Sequence, residues 1–495
     1  MTTGRTPIPT ASPRSGASPP RAWLAALALL CAVWLAGCST VNFAEVERDD
    51  VFAIAVQASL DGEHALAVRA SEHYLQGTSP EDPRYDRALR LLAISAESLG
   101  LSYAASLWYF DIAQSRRDLE VVAEAVRGLE RIIGSNPFDD NVLLQGFIAT
   151  DDITGLPREE QAFIDYYQGL HSIQRGLTDW ADKSFDAIPP SSPYRARADY
   201  VRAVRVLARR DLVTARGDLE AILELEVVPE DLRIDVMRSL ARIAFEEKRF
   251  GDAITIYQSI RETAPDDPLL LLEMAWSHYY RGESRRALGL LLALDAPVYG
   301  DFIAPERFLL EALALRRLCQ FEPARSAAVR LRSRHGDALA DLHNGVPLQT
   351  SRALRAASGL RTGGKPVASF RRRVEAERRL VDELSDDLGP EFSARLVAIY
   401  DRGVQESARR EDELLEQEMK ELARELLSAE EGVRLILHEL GIALLRGRRR
   451  TDNLDEADPF ARATEGSPVL YNFDGEFWTD ELDDLIVTIE DRCID

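Results

Sequence analysis

The sequence predicts an all-α protein in which a solenoid of paired helices is followed by a long helical hairpin and a small β-containing cap. Two observations predict the solenoid. Between residues 51 and 335 the apolar residues recur at helical spacing, with almost none of the alternation typical of strands. Small residues also recur there at intervals near 34–40 residues. Because 46% of the chain is hydrophobic, it can build a core, and wholesale disorder is excluded.

The N-terminus predicts export. Residues 1–37 combine a basic flank with an apolar run from Ala22 to Ala36, which is shorter than the roughly 20 residues that a bilayer span needs. The run ends in Leu35-Ala36-Gly37-Cys38, which resembles the bacterial lipobox. That resemblance implies a cleaved signal peptide and a diacylated Cys38, whereas the alternatives are an ordinary signal peptide or an uncleaved anchor.

A lipid anchor predicts the location of the rest of the chain. Two or more acyl chains hold a protein stably on a membrane, and residues 38–50 would form a short tether. Ser39 is similar to the outer-membrane sorting pattern of Gram-negative bacteria, so we expect an outer-membrane protein facing the periplasm, with surface exposure left open. An oxidising periplasm would allow Cys319 and Cys493 to pair, but their separation in sequence does not predict their distance in space.

Charge and motifs exclude several classes of function. Acidic residues outnumber basic ones by 83 to 60, and a net charge of −23 repels phosphate backbones, so no nucleic-acid partner is expected. The segment Gly359–Lys365 nearly matches a phosphate-binding loop, but Pro366 stands where Ser or Thr would ligate magnesium, so no nucleotide is expected. No metal, cofactor or catalytic motif is evident, and we expect no enzyme.

Each predicted unit of the solenoid carries two small residues twelve positions apart, one on each helix. Antiparallel helices approach closely only where neither carries a bulky side chain, and an aliphatic residue seven positions later packs on the next unit. The pairs are Ala53/Ala65, Ala93/Ala105, Gly169/Ala181, Ala203/Ala215, Ala241/Ala253, Ala275/Ala287 and Ala312/Ala324. The wide interval between the second and third pairs leaves residues 115–160 as an irregular insert or a decayed repeat.

This spacing resembles the tetratricopeptide repeat, a helix–turn–helix unit of 34 residues. The clearest unit spans residues 234–267, and the residues that match the consensus there are Leu240, Ala241, Phe250, Ala253, Tyr257, Ile260 and Pro265. The first unit departs from the pattern, because Arg69 and Glu72 replace apolar residues. The resemblance implies a superhelix whose first helices line a concave, protein-binding groove.

The predicted groove is aromatic, with two arginines. Its candidate binding residues are Tyr166, Tyr200, Arg238, Arg242, Phe245, Trp276 and Tyr279. Arginine among aromatic side chains is typical of protein-binding hot spots. The alternative is that about half of these residues belong to the core between repeats.

The second half of the chain predicts a linker over residues 336–369 and a helical hairpin or coiled coil over 370–450, broken at Gly389-Pro390. Apolar residues stepping by three and four predict a seam. They are Met419, Leu422, Leu426, Ala429, Val433, Ile436, Leu440 and Ala443. The seam would pair with the first helix of the hairpin or with another protein.

Residues 451–495 predict a small cap with short strands. Val469–Phe473 and Glu476–Trp478 flank the hairpin-turn signal Asp474-Gly475, and Leu485–Ile489 is rich in β-branched residues. The tail is loosely similar to the tails of repeat-bearing lipoproteins of delta-proteobacteria.

Together these features predict a membrane-anchored scaffold that binds envelope proteins in the groove of a tetratricopeptide-repeat lipoprotein. The alternative is an adaptor that regulates a peptidoglycan enzyme. A catalytic function is disfavoured, because no convergent set of polar groups is evident.

Overall fold

The computed structural model describes residues 43–135, 137–139, 142, 153–361, 365–447 and 485–493. Helices joined by short turns make up almost all of these residues, and no strand occurs among them. No helix within these ranges is long and apolar enough to cross a bilayer. The predicted signal peptide, Cys38 and the apolar run that precedes it lie outside the described residues.

Fifteen of the described helices belong to the array, and most of them form successive antiparallel pairs. In chain order they are α1 (Arg48–Leu60), α2 (His64–Gln76), α3 (Tyr85–Ser98), α4 (Ser102–Ser115), α5 (Leu119–Ser135), α6 (Arg158–Gln174), α7 (Thr178–Ala187), α8 (Pro193–Ala208), α9 (Leu212–Leu223), α10 (Glu230–Glu246), α11 (Phe250–Thr263), α12 (Pro268–Arg281), α13 (Ser284–Ala293), α14 (Glu306–Arg317) and α15 (Phe321–His343). Each helix packs against its neighbours in sequence, as expected of a solenoid.

The small residues predicted at the helix crossings are buried in every unit but the first. All the alanines of the other six pairs are 0% exposed, and Gly169 is buried as well. The aliphatic residues seven positions later are at most 1% exposed: Ile112, Ile188, Ile222, Ile260, Leu294 and Leu331. The predicted packing rule therefore describes the array from α3 to α15.

In the first unit the predicted register is wrong by two residues. Ala53 is exposed and Ala65 only partly buried, whereas Ala55 and Ala67 are 0% exposed. These two alanines are also twelve positions apart, and Tyr74, seven positions after Ala67, is 2% exposed. The unit therefore obeys the same packing rule. Arg69 and Glu72, which departed from the repeat pattern in the predicted register, do not lie at the apolar positions of the observed register.

Local capping residues set the helix starts near the middle of the array. Ser192 accepts a hydrogen bond from the backbone of Tyr194 and precedes Pro193 at the first position of α8. Asp267 likewise accepts from the backbone of Leu269, 2.9 Å away, and precedes Pro268 at the start of α12. Gly282 ends α12 with a φ of 97°, a left-handed conformation that favours glycine.

The chain after the array forms four more helices: α16 (Arg352–Gly359), α17 (Lys365–Glu383), α18 (Ser385–Leu388) and α19 (Pro390–Gly447). The segment predicted as a linker thus contains α16. The predicted break at Gly389-Pro390 separates α18 from α19, and Gly389 has a φ of 85°. With 58 residues at 1.5 Å each, α19 is about 87 Å long.

Helix α19 contacts both ends of the array. Its N-terminal half packs against α17 and α4, while the short α18 contacts α2. Its C-terminal half packs on α14, α15 and α16. The seam from Met419 to Leu440 is buried there, at most 4% exposed, so it faces the last repeat and α16 and not the first helix of the hairpin. The seam therefore joins the C-terminal region to the array.

The described part of the tail, residues 485–493, has no regular secondary structure and packs on the last repeats. The predicted strand Leu485–Ile489 is wrong, because these residues form no strand and pair with none among the residues that the structure describes. Val487 instead donates to the carbonyl of Arg285, and the side chain of Arg285 donates to the carbonyl of Ile489. Apolar side chains of the segment pack on α12–α15, so helices provide the surface that a sheet would have provided. The predicted hairpin at 469–478 lies outside the described residues.

A disulfide joins Cys319, between α14 and α15, to Cys493 in the tail. Gln320 beside it donates a hydrogen bond to the carbonyl of Glu490, and Arg492 donates its backbone N–H to the carbonyl of Leu318. The bond and its neighbours hold the chain end against the last repeat.

Candidate functional site

Two connected cavities lie between the first helices of the later repeats and the C-terminal helices. The inner cavity has a volume of about 320 Å³ and is lined by Arg242, Phe245, Tyr257, Glu273, Trp276, Tyr280 and Glu306. The outer cavity has a volume of about 930 Å³ and extends from Arg238 on α10 to Arg424 and Glu425 on α19. Trp276 and Glu306 line both, so the two form one candidate binding site.

Helical spacing places the lining side chains on common faces. Arg238, Arg242 and Phe245 follow one another by four and three residues on α10. Glu273, Trp276 and Tyr280 follow one another by three and four residues on α12. Glu306 is the first residue of α14. Three successive first helices of the array therefore contribute to the site, and α19 closes its far side.

Both arginines of the site form ion pairs within the chain. Arg242 donates through Nε to Glu273 across 2.8 Å, and Arg238 pairs with Asp267. The second carboxylate oxygen of Glu273 is buried, lies 3.9 Å from Arg238 Nε and has no hydrogen-bond partner among the described residues. Burial raises the pKa of Glu273, and the two arginines oppose that rise. The charge of Arg242 is thus largely neutralised before any partner arrives.

The aromatic side chains form a continuous stack. Trp276 and Tyr280 stack with ring centroids 5.9 Å apart, and Tyr280 stacks on Phe250 at 5.4 Å. Phe245 meets Tyr280 edge to face at 5.5 Å. Because Tyr280 remains 51% exposed, the stack presents ring surface to solvent and to the inner cavity.

Glu306 is the carboxylate of the inner cavity that has no ion-pair partner among the described residues. It accepts a hydrogen bond from the indole of Trp276. Surrounding protein atoms raise its pKa by desolvation, the nearby carboxylate of Glu425 adds to that rise, and the charge of Arg361 opposes it. Glu425 itself is paired with Arg361, whose two terminal nitrogens lie 2.6 and 2.8 Å from its oxygens.

Four of the predicted groove residues line this site: Arg238, Arg242, Phe245 and Trp276. The other three do not. Tyr166 packs edge to face on Tyr167, the hydroxyl of Tyr200 lies 3.2 Å from that of Ser239, and Tyr279 packs on Trp276 and Tyr280. The prediction thus combined cavity residues with packing residues.

Several lining residues were missed by sequence reasoning. Glu273 had a usable signal, because it lies 31 residues after Arg242, close to one repeat period, on the facing helix. Tyr280 lies one turn after Trp276 and shared the same signal. Glu306 and the α19 residues had none, since their proximity depends on how the C-terminal helices return to the array.

The described residues contain no group of three or more His, Cys, Asp or Glu side chains arranged to hold a metal ion. The polar groups of the site are instead suited to charge recognition next to aromatic rings.

No protein-family model matches the chain, and no curated protein sequence matches it. Among solved structures, it is similar to a tetratricopeptide repeat protein from Parabacteroides merdae ATCC 43184, with 13% identity, 58% of this chain and 92% of that chain covered, and a TM-score of 0.26.

It is also similar to the TPR domain of P58(IPK), at 12% identity, with 81% of this chain and 99% of that chain covered and a TM-score of 0.22. The APC/C hetero-tetramer Cut9-Hcn1 gives 12% identity, 84% and 98% coverage, and a TM-score of 0.21. Because these scores are low, the description of the array rests on its own helix pairing and burial.

Proposed function

We propose that this chain is a non-catalytic scaffold in the envelope of a Gram-negative bacterium, which binds partner proteins in the site between α10–α14 and α19. It would assemble or brace an envelope complex. One observation carries the proposal: a cavity of about 930 Å³, lined by apolar and charged side chains of which several are exposed, lies where the repeat resemblance predicts partner binding.

The location is supported by two features far apart in the chain. The lipobox-like segment ending at Cys38 supports a lipid anchor on the outer membrane, facing the periplasm. The Cys319–Cys493 disulfide supports an oxidising compartment, since such bonds are rare in the cytosol.

A photo-crosslinking residue at Val298 tests the binding site. Val298 lines the outer cavity and is 53% exposed, so a bound partner would lie within reach. The matched control is Val213 on α9, which is 75% exposed and lines neither cavity. We expect crosslinks to envelope proteins in stable stoichiometry from Val298 and none from Val213.

Other outcomes would change the proposal. A single cell-wall enzyme, crosslinked transiently at Val298, would favour the adaptor instead of the scaffold. Equal crosslinking from both positions would contradict the binding site. Membrane anchoring is tested separately: Cys38→Ser should release the protein from the membrane fraction, and retention there would contradict the anchor.

A further inference from the structure

The inner cavity combines aromatic rings with one carboxylate that forms no ion pair with a described residue. Of its three charged lining residues, Arg242 and Glu273 neutralise each other across 2.8 Å, which leaves the carboxylate of Glu306. The remaining lining is aromatic, with Phe245, Trp276 and Tyr280 presenting rings beside that carboxylate. A cavity of this composition attracts positive charge, because ring faces are electronegative and Glu306 adds a full negative charge.

The cavity has room for a side chain. Its volume of about 320 Å³ is far above the roughly 10–15 Å³ that one water molecule requires in the same measure. It adjoins the outer cavity at Trp276 and Glu306, which line both, and it is open to solvent, since Arg242 and Glu306 are exposed. A long side chain can therefore enter from a partner held in the outer cavity.

Other side-chain classes fit poorly. An anionic group would be repelled by the carboxylate of Glu306 and by the electronegative faces of the aromatic rings. An apolar group would strip water from the Glu306 carboxylate and return no hydrogen bond to it, which is costly for a charged group. A cationic group provides an ion-pair partner, which Glu306 lacks among the described residues, and a charged donor in addition to the indole of Trp276.

We propose that the inner cavity binds one lysine or arginine side chain of a partner protein, with Glu306 accepting its hydrogen bond and the Trp276–Tyr280 stack contacting its cationic group. This inference rests on the proposed scaffold function and names the chemistry that the site selects. The net charge of −23 also favours the approach of basic partners over acidic ones.

Titration of the full-length protein with N-acetyl-arginine amide and N-acetyl-lysine amide tests the proposal. Tryptophan is replaced by 5-fluorotryptophan, and the ¹⁹F signal of Trp276 is assigned with Trp276→Phe. Trp180, which is 63% exposed on α7, serves as an internal reference. The neutral probe N-acetyl-citrulline amide has nearly the shape of the arginine probe without its charge.

We expect a saturable shift of the Trp276 signal and none of the Trp180 signal. Citrulline should bind about tenfold or more weakly, and Glu306→Gln should weaken arginine binding by a similar factor, since each removes one partner of a charge-assisted bond. The matched control is Asp301→Asn, which removes a negative charge from the outer cavity without touching the inner one. It should change affinity less than twofold.

Equal affinity for arginine and citrulline would overturn the inference, as would an unchanged affinity of Glu306→Gln or the absence of a saturable shift. These outcomes are distinguishable from failure of the scaffold. Crosslinking at Val298 without arginine binding would support the scaffold and contradict the cation site. Arginine binding without crosslinks at Val298 would support the cation site and contradict the scaffold.

Discussion

The two ends of α19 both pack on the array, but they differ in the polar contacts that accompany the apolar ones. At the N-terminal end, the buried carboxylate of Glu377 on α17 accepts hydrogen bonds from the backbone of Tyr103, at 2.8 Å, and from the hydroxyl of Tyr400, at 2.7 Å. Arg373 pairs with the same carboxylate at 2.8 Å. One polar cluster thus links α4, α17 and α19.

At the C-terminal end, an aliphatic seam makes the contact. Leu422 and Leu426 are 0% exposed and pack with α15 and α16, while Val433 packs with Phe308 of α14. Ion pairs such as Arg361–Glu425 lie beside the seam and not within it.

Apolar side chains are also buried at the N-terminal end, where Phe392 and Leu396 pack with Trp108 of the array. Because directional bonds specify position, we infer that the buried polar cluster around Glu377 sets the register of α19, while apolar burial at both ends holds it in place.

The largest expected effect comes from truncating one buried side chain of the seam. Leu422→Ala should lower the free energy of unfolding by about 2–5 kcal/mol, because it removes buried methyl groups and leaves a cavity. The matched control is Leu427→Ala, five residues later on the same helix, which is 42% exposed and should cost about 0.5 kcal/mol or less. Urea denaturation measures both, and equal losses would contradict the assignment of stability to the seam.

Acid should affect the two ends in opposite directions. Burial lowers the pKa of His335, near the C-terminal end, to about 4 from a normal value of 6.5. The unfolded chain therefore binds a proton that the folded one does not, and stability should fall as the pH drops from about 6.5 to about 4, by about 3 kcal/mol at most. Burial raises the pKa of Glu377, so protonation of that carboxyl at low pH should instead stabilise the N-terminal end.

Variants separate these two contributions. Denaturant titrations at pH 7 and pH 4.5 should show a smaller loss on acidification for His335→Gln than for the native chain, and a larger loss for Glu377→Gln. If the free energy of unfolding changed equally with pH in the native chain and in both variants, the roles assigned to His335 and Glu377 would be contradicted.

The close approach at the N-terminal end should not tolerate a methyl group. A Cβ at Gly403 would lie 2.5 Å from the ring of Tyr103, so Gly403→Ala should destabilise the protein by about 1–3 kcal/mol. Gly441 on the same helix has no atom within 4 Å of such a Cβ, and Gly441→Ala should be neutral or stabilise by up to about 1 kcal/mol. Thermal unfolding of the two variants measures this difference in stability. Stabilisation by Gly403→Ala would contradict the prediction.

The smallest expected effect is the loss of one hydroxyl. Tyr400→Phe leaves the buried Glu377 with one donor fewer and should cost about 1–2 kcal/mol. Tyr280→Phe is the control, since Tyr280 is 51% exposed and its hydroxyl bonds to no described residue. A double-mutant cycle with Glu377→Gln should show coupling for Tyr400 and none for Tyr280.

The repeat pattern could be predicted because its physical cause is local. Ala241 and Ala253 lie in adjacent helices of one unit, and the need for small residues where those helices cross is visible at a spacing of twelve. The first unit was misplaced by two residues because Ala53 and Ala55 offer the same signal in sequence and only burial distinguishes them.

The candidate site could be predicted only on the side formed by the array. Arg242, Phe245 and Trp276 followed from repeat phase, whereas the same phase also selected Tyr200, whose side chain packs between helices. Repeat position gives the face of a helix but not whether the neighbouring helix covers it.

The helical pairing, the burial of the alanines and the apolar character of the α19 seam follow from the order of the residues alone, since each depends on residues close together along the chain. The folded chain was needed to show that this seam faces the last repeat, that Glu306 meets Glu425 across a cavity, and that Cys319 joins Cys493. Those contacts link positions that lie far beyond one repeat apart, up to the 174 residues between the two cysteines. Their proximity depends on the summed path of every intervening helix, which no short-range spacing encodes.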